Sequence, residues 1–352
     1  MKILYLAMEK SVLVARQHHN DWQVESHLDG LQALCLAADP LHPERVYCGT
    51  YRRGLWQSRD AGRTWQPIGD LPMVPRGTKG IQYSDITALA VSTLERAGEY
   101  GVVYAGTEPG AMFRSEDGGA SWQELAGFRA LPSSSTWSYP PKPETHHVRW
   151  ITPDPRVAGR VFVAVEAGAL VRTLDGGATW EDRVPDGPYD THTLVMHPQA
   201  PDRLYVAAGD GFVRPNRGYQ ESYDGGKTWH APDEGLHHQY LFEVAVDAGN
   251  PETIIVSAAS TPQLAHHRSL GEAKVYRKTQ GQPWQEITML AAKEAMTAVI
   301  TSSTAESGVF YLLNNHGCYH STDAGLSWEL LPLPWGEHLH HQHPSAIVVG
   351  EV

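Results

Sequence analysis

Histidine is the residue type that stands out. The chain carries 19 in 352 residues, clumped as His18/His19, His146/His147, His237/His238, His266/His267 and the run His338, His340, His341 and His343. Neutral imidazole ligates Zn, Mn, Fe, Ni or Cu, and an Asp or Glu can complete such a shell. No helix carrying His-x-x-x-His and no Cys pair is present (the spacing itself occurs once, at His316 and His320, across a glycine), so a metal site has to be assembled from separate segments.

Two register positions gather the chemistry. Fourteen residues before a recurring tryptophan stand Tyr51, Glu108, Glu166 and Asn314, with Gly209 and its neighbour Asp210 in a unit that carries a longer insertion. A framework residue would repeat; this position varies and is polar in most units. At the second position, Arg149, His192, Phe242 and Thr297 align, and His147, Asp190, Tyr240 and Ala295 align two residues earlier, on the same side of a strand. A core-facing strand wants small or apolar side chains, yet His, Asp, Arg and Tyr gather here in three consecutive units.

The pattern predicts one transition metal held by His147 and His192, with His238 as third ligand. Glu108 or Glu166 is the expected general base, Asp190 and Tyr240 are further catalytic candidates, and Arg149 is expected to hold an anionic group. Tyr51, Asn314 and Asp210 are expected ligand contacts. Together they predict a metal-dependent hydrolase or lyase on a carbohydrate or another small polar molecule. Two alternatives stay open: a metal-free glycosidase using Glu108 and Glu166, and a non-catalytic face that captures a peptide or protein loop, so a protein partner is not ruled out. The plainer reading of the same residues is a solvated turn lined by hydrogen-bonding histidines.

What must position these residues is a repeat. SRDAGRTW, SEDGGASW, TLDGGATW, SYDGGKTW and STDAGLSW all fit S/T-x-D-x-G-x-S/T-W, and RKTQGQPW and ARQHHNDW are decayed copies. The motif suits a hairpin turn: Asp accepts from backbone N–H groups, Gly supplies a positive φ, and Trp fills the gap between neighbouring units. Asp60, Asp117, Asp175, Asp224 and Asp323 are therefore read as structural, because a device repeated in every unit serves the fold. Two apolar strands precede each motif, such as ITALAVS and VVYAGTE before Trp122. The tryptophans are 43 to 58 residues apart, and 46 residues lead from Trp328 through both termini to Trp22.

One further unit is thus split across the ends, with PSAIVVGEV beside KILYLAM. The expectation is an all-β, single seven-bladed β-propeller spanning 1–352. Its split blade takes 1–29 plus 344–352, and the others roughly 30–70, 84–127, 144–184, 190–233, 239–287 and 295–332. Long connections such as DLPMVPRGTKGIQYSD, FRALPSSSTWSYPPKPETHH and PLPWGEHLHHQHPS are expected on the face that holds the ligand.

The Asp boxes resemble those of the sialidase-like propeller superfamily, the BNR-repeat proteins. That superfamily includes sialidases, xyloglucan hydrolases, sortilin-type receptors and a photosystem assembly factor. The resemblance covers the whole chain and implies a fold rather than a chemistry. The Arg-Ile-Pro signature of sialidases is absent, and no catalytic residue transfers from the two-propeller xyloglucan hydrolases.

A net charge of −12 gives nucleic acid or an anionic membrane no electrostatic attraction. Cys35, Cys48 and Cys318 read as apolar core residues in a reducing compartment. MKILYLAMEK is a poor signal peptide and no stretch reaches about 18 apolar residues, so the expectation is a cytoplasmic protein.

Overall fold

Each Asp box folds into the turn its residues dictate. In the first, the Ser58 and Thr64 hydroxyls and the Thr64 N–H donate to the Asp60 carboxylate at 2.6–2.8 Å, while the Gly62 N–H donates to Ser58 Oγ at 2.8 Å. Asp117, Asp175, Asp224 and Asp323 repeat the pattern. Gly62 sits at φ +80°, where a Cβ would be strained and would also meet Tyr5 at 2.8 Å.

The computed structural model describes residues 1–19, 21–69, 80–267, 269–290 and 292–351. Most of the expected connection DLPMVPRGTKGIQYSD lies outside the described residues. Seven antiparallel sheets form the blades of a propeller. Their innermost strands are Ala33–Asp39, Asp85–Ala97, Val148–Pro153, Thr191–His197, Tyr240–Asp247 and Val299–Ser302 for blades 1 to 6, and Pro344–Glu351 for the seventh. In the seventh blade, Pro344–Glu351 pairs with Lys2–Met8 from Lys2↔Glu351 to Ala7↔Ala346. The last strand therefore lies beside the first and the ring has no open edge.

The core is divided among the interfaces. Blades 1 and 2 bury Tyr47, Phe113 and Trp122 between them; blades 2 and 3 bury Tyr104, Phe128 and Val163; blades 4 and 5 bury Tyr219, Val256 and Trp284. The Trp122 indole N–H donates to Gly119 O at 3.1 Å, so the motif tryptophan is both packed and satisfied. Cys48 and Cys318 are buried in these layers, and Cys35 is half-buried, all as free thiols.

Blades 3 and 4 depart from the four-stranded pattern. Their sheets have three strands, and the fourth is reduced to the single bridges Arg172↔Glu181 and Glu221↔His230. Pro232 lacks the N–H that the next bond of blade 4 needs. In blade 3, Asp182 is drawn off to accept from Ser133 N and Oγ at 2.8 and 2.5 Å.

The inner strands of all seven blades surround a cavity of about 690 Å³. Six of them carry a bulge near the start, at Leu34, Thr87, Arg149, His192, Phe242 and Ser345. A bulge re-aims its side chain. In blade 3 it places Arg149 against the channel.

Candidate functional site

The site forms where the inner strands begin and the second strands end. His147 and Asp190 immediately precede the inner strands of blades 3 and 4 and occupy matching backbone places. The His147 carbonyl accepts from Glu166 N at 3.4 Å and the Asp190 carbonyl from Gly209 N at 2.8 Å. Glu108 ends the second strand of blade 2, and Glu166 follows that of blade 3.

Three ligand atoms converge. One atom each from Glu166, Asp190 and His192 lies within 4.8 Å of the other two. His192 is 2% exposed, and its Nδ1 donates to Leu241 O at 2.6 Å, which assigns the ring proton to Nδ1. Its Nε2 is left as an acceptor, 3.8 Å from Asp190 Oδ2. Asp190 Oδ1 accepts from Ala167 N at 2.8 Å. Ala167 holds a left-handed φ of +46° to make that bond, an uncommon conformation for a residue with a Cβ. Gly209 supplies the room: a Cβ there would lie 2.1 Å from Asp190 Oδ2 and 3.0 Å from His192 Cε1.

The charges around the cluster are arranged in pairs. His147 Nε2 is 3.0 Å from Glu166 Oε2, and Arg149 Nε is 3.7 Å from the same oxygen. Burial alone would push the Glu166 carboxyl up; the His147 hydrogen bond and the His147 and Arg149 charges outweigh it and hold it well below the usual carboxylate range. Asp190 moves the other way, raised by burial and by the Glu166 charge against the pull of His192. Glu108 is held at 3.0 Å by Lys142 and lies 4.0 Å from His147 Nδ1.

The structure revises several sequence expectations. His238 is not at the cluster: its Nδ1 meets the Tyr276 hydroxyl at 2.5 Å, on the flank of blade 5. It lies in the connection before the inner strand of blade 5, where no strand register fixes the direction of a side chain. His147 falls outside the group of three converging atoms and instead backs Glu166. Arg149 Nε stands 3.7 Å from Glu166 Oε2 and its guanidinium lies 5.0 Å over the Phe242 ring, so part of its charge faces a carboxylate of the site. Glu108 is paired with Lys142 at 3.0 Å and is not among the three converging groups. Asn314 accepts from His316 N within its own turn. Asp210 accepts from the backbones of Tyr189 and Asp190 at 2.9 and 3.3 Å, and so positions Asp190. Tyr51 lies beneath Lys142 and Arg52, at 5.2 and 4.8 Å. Tyr240 is at the site, its ring edge-on to His192 at 5.0 Å.

Tyr139 and Lys142 are the residues that sequence reasoning missed. Both lie on the connection from blade 2 to blade 3, where no repeat register exists. Tyr139 stands edge-on to His147 at 4.6 Å. The buried residues Phe128 and Trp137 anchor this segment between the blades. The only available signal was the segment's length and its aromatic content.

The comparisons with known proteins agree with this architecture. The model of the BNR/Asp-box repeat matches residues 220–231. A xyloglucanase from a Paenibacillus species is 28% identical over 69% of this chain and 25% of its own length. A probable oligoxyloglucan-reducing end-specific xyloglucanase from Neosartorya fischeri is 25% identical over 55% of this chain and 26% of its own. The chain thus spans about a quarter of the length of these curated relatives. Among solved structures, the GH74 xyloglucanase of Xanthomonas campestris superimposes with a TM-score of 0.63 at 16% identity, over 92% of this chain and 50% of that one. The chain thus carries five intact Asp boxes on a seven-bladed β-propeller, one of them matched by the BNR/Asp-box repeat model.

Proposed function

We propose that the chain is a metal-dependent hydrolase of a carbohydrate, with one divalent transition metal held by Glu166, Asp190 and His192. The observation that carries the metal is the convergence of three ligand atoms with the His192 proton already committed to Leu241 O. A second bond of this kind is what orients a metal-binding imidazole. Ligand atoms about 2.1 Å from one ion in a tetrahedral shell lie about 3.4 Å apart, so three atoms within 4.8 Å of one another need to close by up to about 1.4 Å. When bound, such an ion polarises a substrate oxygen or lowers the pKa of water. The chain's own residues do the rest. Glu166 is kept ionised by His147 and Arg149, Asp190 is aimed by the Ala167 N–H, and His147 stands between Glu166 and Glu108, where it can carry a proton. Relatives named as xyloglucanases support a carbohydrate as the ligand.

A second reading has its own support. Two carboxyls whose environments push their pKa values apart are the usual sign of an acid and a base. Glu166 and Asp190 are such a pair, and their oxygens within 4.8 Å are close to the roughly 5–5.5 Å of a retaining glycosidase. The test is hydrolysis of a xyloglucan oligosaccharide by untagged protein before and after EDTA. Activity lost on chelation and restored by Zn or Mn supports the metal reading. Activity indifferent to EDTA moves the chemistry to the carboxyl pair. No hydrolysis under either condition removes the assignment as a hydrolase of this carbohydrate.

A further inference from the structure

A chain of three hydrogen bonds starts at the site and runs away from it. Tyr240 begins the inner strand of blade 5, His266 ends the short helix Pro262–His266, and His343 stands just before the closing strand Pro344–Glu351. The Tyr240 hydroxyl is 3.2 Å from His266 Nε2, His266 Nδ1 is 2.7 Å from His343 Nε2, and His343 Nδ1 is 2.5 Å from Pro344 O.

The far end sets the direction. A carbonyl only accepts, so His343 Nδ1 carries a proton and donates it. In a neutral imidazole the other nitrogen then accepts. With His343 neutral, His266 Nδ1–H donates to His343 Nε2, which leaves His266 Nε2 an acceptor and makes the Tyr240 hydroxyl the donor. Burial pushes the His266 pKa down, so His266 stays neutral. Phe242 packs against both imidazoles, its ring 5.0 Å from that of His266 and 5.7 Å from that of His343, and shields the chain.

We propose that Tyr240 is a ligand-contacting hydrogen-bond acceptor, its proton turned away from the site by the positioning residues His266 and His343, so that the ligand group it meets is a donor. A carboxylate, phosphate or ether oxygen placed against the Tyr240 hydroxyl meets a lone pair, whereas a hydroxyl has a proton to give. That the donor is a sugar hydroxyl rests on the carbohydrate reading above; the polarity of Tyr240 does not.

The experiment has two arms, both on the full chain. The first is long-range ¹⁵N–¹H NMR of ¹⁵N-histidine-labelled protein without ligand. His266 and His343 should both appear as Nδ1–H tautomers, and Tyr240→Phe should move the His266 Nε2 resonance toward that of an unbonded acceptor. The second arm is calorimetric titration with a xyloglucan oligosaccharide. Tyr240→Phe and His266→Phe should each weaken binding about tenfold at an unchanged melting temperature. If His266→Phe does not fold, Tyr240→Phe alone decides this arm. An Nε2–H tautomer at His266, or a Tyr240→Phe protein that binds the oligosaccharide as tightly as the wild type, overturns the proposal. Failure of the wild type to bind the oligosaccharide defeats the carbohydrate reading, and the tautomers then decide the polarity of Tyr240 by themselves.

Discussion

A histidine is committed to a ligand when its other nitrogen is tied elsewhere, and His192 shows how the fold does this with a backbone carbonyl. The space around it is equally specified. Gly209→Ala would drive a methyl group into Asp190, so metal affinity should fall at least tenfold while the far-ultraviolet circular dichroism spectrum stays unchanged. An Ala variant that binds as the wild type does would show that the Asp190 carboxylate is not held where the cluster needs it. Glu243 is a different case. It faces the channel at 4% exposure, accepts from Thr193 Oγ1 at 2.7 Å, and burial raises it from 4.5 to about 7. The folded state therefore keeps this proton across a window in which the unfolded chain has lost it, and stability falls as pH rises from about 4.5 to 7. Glu243→Gln removes that dependence. At pH 8 it should exceed the wild type by up to about 3 kcal/mol in urea unfolding, with the gap closing toward pH 5. A constant gap would contradict the assignment. His192, Asp190, Glu166 and Tyr240 were legible in the sequence because they recur in aligned strands. Glu243 was not, since nothing in FEVAVD tells which carboxyl faces the channel.

Elements carry these residues in two ways, through repeat and through exception. The Asp boxes are the repeat. Asp117→Ala leaves the Ser121 N–H and two hydroxyls without their acceptor, which should cost about 1–3 kcal/mol in urea unfolding. Activity per folded molecule should be unchanged; a loss of activity at full stability would mean the box does more than turn the chain. The exceptions are the bulged inner strands and the segment between blades 2 and 3. Sequence alignment found the right strand position for Arg149 and His192, but it could not show the bulge there, because an extra residue in one strand is visible only against its partner. The short fourth strands of blades 3 and 4 were missed for a related reason: the tryptophan motif is intact in both, and only the residues after it withhold the pairing. Lys142 tests the exceptional segment. Lys142→Met leaves Glu108 without its cation and should change the pH profile of hydrolysis without lowering the melting temperature by more than a degree or two. An unaltered profile would mean that Glu108 takes no part.

At the scale of the molecule, the site exists only because the ring closes. It draws side chains from blades 2 to 5, and the relay behind Tyr240 ends on the residue that begins the closing strand. Deleting residues 344–352 removes the strand paired with Lys2–Met8 and opens the seventh blade. The truncated chain should aggregate or unfold well below the wild-type temperature, and an unchanged melting temperature would refute closure by this strand. Closure is readable from the sequence because the spacing from Trp328 round to Trp22 matches one repeat, whereas the converging cluster is only partly so: the sequence reads Glu166 and Asp190 as catalytic groups, and expects His147 and His238 beside His192 as the metal ligands. The most direct test of the account is titration of Zn or Mn into untagged, chelator-stripped protein. One equivalent should bind to the wild type and to His238→Ala, and saturable binding should be lost in His192→Ala with the fold intact. No saturable binding by the wild type, or binding that survives in His192→Ala and fails in His238→Ala, would contradict it.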